Sequence, residues 1–211
     1  MSVVYYCAML TPEIIAALAV FAFATSITPG PNNLMLLASG ATYGWGPTIP
    51  HMLGIFSGFT ALVFFAGTGL GKLLDAIPAA ATAMQYAGIA FLTFLAYKTA
   101  FAVPFADQGK DLGGRPISYL QAVGFQWVNP KAWAMGLGAY STYAPPDSTA
   151  GTAAMIALIF GAINLPCISC WTLLGTSLRR LLNRPWKLRM FNISAAGLLL
   201  ASLTPIILDK V

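Results

Sequence analysis

The chain has 211 residues, of which 58% are hydrophobic and only 8% charged, with a formal net charge of +5 and a mean hydropathy of +0.75. Soluble domains carry about 25% charged residues, so this composition excludes a water-soluble surface and points to an integral membrane protein. Sparse cations placed between apolar segments exclude a nucleic-acid-binding face, and about six spans of roughly twenty residues leave no room for a sizeable soluble domain.

No Lys or Arg precedes the first apolar run and no small-residue cleavage site follows a short apolar core, so the N-terminal segment reads as a retained helix and not a signal peptide. Hydropathy then outlines segments at 12–42, 47–70, 77–101, 117–143, 150–176 and 191–208. The first is about thirty residues, roughly 45 Å as a helix, against a hydrocarbon core of about 30 Å. It is interrupted by TPGPNNLM, residues 28–35. The fourth is interrupted by an asparagine and a proline in FQWVNPKAWAM, residues 125–135.

The cations orient the chain. Lys98, Lys110 and Arg115 flank the connection between the third and fourth segments, and Arg179, Arg180, Arg184, Lys187 and Arg189 that between the fifth and sixth. With six spans these connections share a side. The positive-inside bias puts loops 98–116 and 179–189 in the cytoplasm and both termini outside.

Each half thus opens with a helix broken at a similar depth and continues with two further spans. Three spans per half is odd, so the halves insert in opposite directions. This predicts an all-α integral membrane fold, one transmembrane transporter domain over 1–211, with inverted three-helix repeats at about 12–101 and 117–208. Discontinuous helices in corresponding positions are the best sequence pointer to a transporter's binding site.

The chemistry of such breaks is specific. Pro29 and Pro31 lack N–H groups and Gly30 permits backbone angles closed to other residues, so the ladder opens. A half-helix starting near Asn32 presents free N–H groups and a positive dipole end to a carboxylate. Carbonyls freed before Pro29 suit an ammonium group. Asn32 and Asn33 each add one acceptor and two donors. Lys131, costly near mid-membrane, is expected to face a polar cavity as the counter-charge of a carboxylate.

TPGPNNLM, with ASGATYG and PHMLGIFSGF after it, resembles the opening of the LysE/RhtB family of amino-acid exporters, and FQWVNPKAWAM resembles that family's second signature. Residues 164–171 and the basic loop after them are similar to the branch that exports cysteine and O-acetylserine. The resemblance covers essentially the whole chain. It implies a secondary transporter of the bacterial inner membrane that exports small amino acids by proton antiport with alternating access. It places substrate-binding residues at Thr28, Pro29, Gly30, Pro31, Asn32 and Asn33, and at Asn129, Pro130 and Lys131. No cofactor, metal or nucleic acid is implied; the partners are an amino acid and membrane lipids. The absence of a carboxylate near mid-membrane, Glu13 and Asp75 lying near segment ends, favours a neutral substrate over a cationic one and leaves the proton route open.

Cys167 and Cys170 form a C-x-x-C, which supplies the rival reading of a membrane thiol–disulfide carrier, although apolar burial makes thiols inert. A passive channel is a second rival. His51, the lone histidine, reads as either a proton relay or an interfacial residue with a structural hydrogen bond. Gly54 with Gly58, and Gly67 with Gly71, have the spacing for close helix packing within or between subunits, which allows a homo-oligomer. Enzyme motifs are absent.

Overall fold

The computed structural model describes residues 10–70, 76–102, 115–145, 148–182 and 184–204. Cys7, Gly71, Lys72, Asp75, Asp107, Lys110, Asp111, Asp147 and Lys210 lie outside the described residues. Eight helices follow in chain order among those described. They are α1 (Pro12–Ile27), α2 (Pro31–Tyr43), α3 (Trp45–Phe65, continuing into a π turn, Ala66–Leu70), α4 (Pro78–Ala100), α5 (Tyr119–Val128), α6 (Pro130–Tyr143), α7 (Ala150–Leu178) and α8 (Pro185–Ala201).

Local sequence explains the boundaries. Five helices begin on proline, at Pro12, Pro31, Pro78, Pro130 and Pro185. The first helical position has no use for an N–H, and proline's fixed φ fits it. The helices α5 and α7 start instead with capping boxes, Ser118 with Gln121 and Thr149 with Thr152. Gly44 alone links α2 to α3, at φ 87°, a left-handed angle that glycine takes without strain. The last helix begins at Pro185 rather than at residue 191 because Arg184 is extended and Pro185 can start the next turn. Lys187 and Arg189 therefore belong to the first turns of α8 and not to a loop.

The segments Trp45–Leu70 and Ala150–Leu178 are long and apolar enough to cross a membrane alone, and the pair α1–α2, bent by 55°, makes a third if it counts as one span. Among the described residues, length and apolarity by themselves thus mark two or three of the six expected spans. The outer surface is apolar as well: Val20, Phe23, Leu120, Leu158, Leu173 and Leu198 are all exposed. Helices apolar on both their buried and exposed faces are those that sit in lipid.

The two halves interlock. Both α1 and α2 pack on α7; α5 packs closely on α3, with α6 beside it; α3 and α7 pack on each other, and α4 pairs with α8. Small residues let these backbones approach. A Cβ on Gly54 or Gly58 would collide with α5, so this glycine pair is used inside the chain. A second crossing is reciprocal: a Cβ on Gly40 would meet the Thr172 carbonyl, and one on Gly175 would meet the Leu37 carbonyl. Phe59, Leu62 and Phe160 centre one apolar cluster, and Leu36, Ile55, Phe125 and Leu199 the other.

Lys98, Arg115 and Arg179 lie near the junction of α2 and α3. Lys98 and Arg115 line one small cavity with Ser39 and Tyr43. The Arg179 guanidinium lies 3.1 Å from where a Cβ would sit on Gly44. At the same end Asn192 of α8 donates to the Thr42 hydroxyl at 3.3 Å and to the Ala102 carbonyl at 3.2 Å, tying α2, α4 and α8 together. His51 departs from the expected structural hydrogen bond. It is fully buried in α3, and neither ring nitrogen has a partner. It lies on the face of α3 that carries Thr48, Ile55 and Phe59, which are buried with it.

Candidate functional site

The first break leaves a set of carbonyls without helical partners. Pro29 and Pro31 cannot donate to Thr25 and Ile27, and the chain turns away at Thr28 and Gly30. Side chains from three other helices take over. Asn33 of α2 donates through Nδ2 to the Ser26 and Thr28 carbonyls, both at 2.8 Å. The indole of Trp171 on α7 donates to the Ile27 carbonyl at 3.0 Å. Lys131 of α6 donates through Nζ to the Thr28 carbonyl at 2.8 Å and the Pro29 carbonyl at 3.2 Å. The Thr28 hydroxyl turns back onto the Ala24 carbonyl. A carbonyl left unpaired in an apolar setting costs about 1–3 kcal/mol, which these contacts avoid.

The second break is built alike. Asn129 caps α6, its Oδ1 accepting from the Lys131 amide at 3.1 Å, and Pro130 fills the first helical position. Trp133 Nε1 donates to the Trp127 carbonyl at 2.8 Å. A tryptophan indole therefore satisfies a carbonyl ahead of each break. The breaks are joined by a reciprocal amide pair: Asn32 Nδ2 donates to Gln126 Oε1 at 2.8 Å, and Gln126 Nε2 to Asn32 Oδ1 at 3.1 Å. Gln126 is wholly buried.

Both helix starts open onto one cavity. Its walls include Gly30, Asn32 and Asn33 from the first break, Asn129 and Lys131 from the second, and Asn164 from α7; Phe59, Ala132 and Met135 give an apolar side. The cavity leaves about 20 Å³ for water centres, room for about one water. An amino acid needs several times more, so this site must widen to hold one.

Of the nine residues singled out in the sequence, Gly30, Asn32, Asn33, Asn129 and Lys131 line the cavity. Thr28 and Pro29 reach it through the carbonyls that hold Lys131. Pro31 and Pro130 set the two helix starts. Two details differ from expectation. Gly30 is extended, at φ −176° and ψ 178°, a conformation open to any residue. Its missing Cβ matters because Lys131 Cδ would stand 2.8 Å away from one. The freed carbonyls are also not vacant for an outside ammonium, since Lys131 already supplies one. The sequence reading missed Ser26, Gln126, Asn164 and Trp171 as parts of the site. Gln126 lay within the quoted second motif, but nothing local distinguishes a buried amide from an exposed one. Cys167 is buried, Cys170 is exposed, and both thiols are free.

Comparison with known proteins finds relatives along most of the chain. Residues 23–204 match the family described as LysE type translocator. The chain is 32% identical over 199 residues to a cysteine/O-acetylserine efflux protein of Escherichia coli O157:H7, covering 90% of this chain and 96% of the relative. It is also 32% identical to the proteins of the same name from Escherichia coli strain K12 and Shigella sonnei strain Ss046, over 198 residues, 90% of this chain and 95% of each relative. No solved structure matches. An apolar helical chain with two opposed helix breaks, matched by this family along most of its length, is a transport protein of the membrane and not an enzyme: it belongs to the LysE type translocator family.

Proposed function

We propose that this protein exports small neutral amino acids or their derivatives from the bacterial cytoplasm, with substrates of the cysteine and O-acetylserine kind that name its relatives. The observation that carries the proposal is the cavity between the two broken helices, with the Lys131 ammonium on the Thr28 and Pro29 carbonyls. That pair of carbonyls binds a primary ammonium. In the resting protein Lys131 provides it; in the loaded protein the substrate's α-ammonium takes its place. The substrate carboxylate then faces the positive starts of α2 and α6.

The architecture proposed is six spans in two inverted three-helix repeats, with the α1–α2 and α5–α6 pairs each crossing as one broken span. The interlocked packing supports it, since each broken helix rests on the second span of the opposite half. Transport then proceeds by alternating access as one repeat rocks against the other. The meeting of Lys98, Arg115 and Arg179 around one end supports basic connections on a single, cytoplasmic side. Lys131 is the ionisable side chain of the cavity, so proton antiport is assigned to it: a proton leaves its Nζ as the substrate ammonium takes over the carbonyls, and returns on release.

The test is efflux from vesicles holding the purified protein and preloaded with neutral, cationic and sulfur-containing amino acids. Saturable efflux of a neutral subset, driven uphill by an imposed pH gradient, is the expected result. Flux that never exceeds the diffusion gradient would replace the carrier by a passive channel. Uphill efflux indifferent to the pH gradient at fixed voltage would remove the proton.

A further inference from the structure

Asn164 is the polar wall of the cavity that the two breaks do not explain. It lies near the middle of α7, a 29-residue helix about 43 Å long, on the buried face with Ala157, Phe160, Gly161 and Ile168. Its Nδ2 donates to the Ser26 hydroxyl at 3.1 Å. Its Oδ1 is buried and has no partner. Asn164 is 5% exposed, so bulk water does not satisfy that oxygen.

Most of the neighbouring amide groups hold other partners. Asn32 and Gln126 satisfy one another. Both Asn33 donor bonds go to the first break, and Asn129 Oδ1 holds the α6 start. Among the described residues, the buried side-chain atoms without a partner are the two His51 nitrogens and Asn164 Oδ1, and only Asn164 lines this cavity. A leucine there would avoid the cost of an unpaired amide oxygen, about 1–3 kcal/mol. An unpaired acceptor in a binding cavity calls for a donor from the ligand. It repels a carboxylate and welcomes N–H. A primary ammonium has three donors, and the Thr28 and Pro29 carbonyls account for two.

We infer that Asn164 is a specificity-determining residue of the substrate site, its Oδ1 accepting the third N–H of the substrate's α-ammonium and so selecting zwitterionic amino acids over analogues without an amine. Ser26 is the positioning residue: it holds the amide nitrogen and leaves Oδ1 unpaired. The inference rests on the exporter reading above and adds the substrate group that Asn164 reads.

The experiment compares wild type with Asn164→Leu in reconstituted vesicles, using reduced cysteine and its isosteric 2-hydroxy acid analogue, mercaptolactate. Wild type is expected to prefer cysteine. Asn164→Leu is expected to raise the half-saturating cysteine concentration about 10- to 100-fold and to change that for mercaptolactate much less, so the preference collapses. An unchanged preference in a folded Asn164→Leu protein overturns the inference and leaves the exporter standing. Asn164→Asp keeps the acceptor and the shape; it should retain the preference for the amine, and its loss there would also overturn the inference, whatever the folding of the leucine variant. Wild type that exports neither compound nor any other amino acid sinks both readings together.

Discussion

Lys131 Nζ lies 2.8 Å from the carbonyl oxygen of Thr28, which joins the start of α6 to the end of α1 across the middle of the protein. The same ammonium reaches Pro29, and the space it needs exists because residue 30 has no Cβ. A clamp made of one lysine and two carbonyls is strong enough to hold and weak enough to exchange, since a hydrogen bond from a charged donor contributes about 1.5–3 kcal/mol when buried and less where solvent reaches it.

Lys131→Met keeps an unbranched side chain one atom shorter and removes the charge. It is expected to lower efflux at least about tenfold while shifting stability by only about 1 kcal/mol, because Asn33 still satisfies the Thr28 carbonyl. Initial efflux rates and the thermal midpoint in detergent are the paired measurements. Normal transport by the variant would place the substrate ammonium elsewhere.

The Asn32–Gln126 pair is suited to a double-mutant cycle. Asn32→Leu, Gln126→Leu and the double variant should reveal a coupling of about 0.5–1.7 kcal/mol, the range for polar pairs between helices in membranes. Each single change strands an amide, whereas the double change strands none. Additive losses in denaturant titrations would show that the pair does not act as a unit.

Two glycines make a controlled comparison. Gly175→Ala drives a methyl into the Leu37 carbonyl and should cost about 1–3 kcal/mol by overpacking. Gly197→Ala meets nothing within 4 Å and should be neutral or stabilise by up to about 1 kcal/mol, since glycine is the poorer helix former. Thermal midpoints of the two variants, read side by side, separate a backbone crossing from helix propensity.

His51 carries two unpartnered ring nitrogens in a fully buried position. His51→Leu is expected to raise stability or leave it unchanged, since an apolar side chain of similar bulk leaves no polar atom stranded. Efflux driven by a pH gradient should survive the change if Lys131 carries the proton. Loss of that drive, with downhill efflux intact, would move the proton route to His51.

The breaks were legible in the sequence because proline acts on the chain locally. Pro29, Pro31 and Pro130 delete donors wherever they fold, and the resulting helix starts at Pro31 and Pro130 fall beside the marked asparagines. Tertiary partners were not legible in the same way. Gln126 finds Asn32 from 94 residues away, Asn164 finds Ser26 from 138, and Trp171 finds Ile27 from 144. No local rule announces such meetings. The burial of His51 was missed because nothing in its local sequence shows which helices pack on it. Gly175 escaped because Trp171 and Arg179, the residues four away from it, are large.

The interlocked halves also have a consequence for synthesis. Thr28 and Pro29 leave the ribosome about a hundred residues ahead of Lys131, and Ser26 still further ahead of Asn164. At about 5–20 residues per second, the first broken helix waits roughly 5–20 s with its Pro29 carbonyl unserved, and longer for Trp171 to reach Ile27. Until the second half arrives, the nascent first half has no low-energy place in lipid. The insertion machinery, or headgroup water at the edge of the bilayer, has to shelter it, and the two halves reach their final depth together.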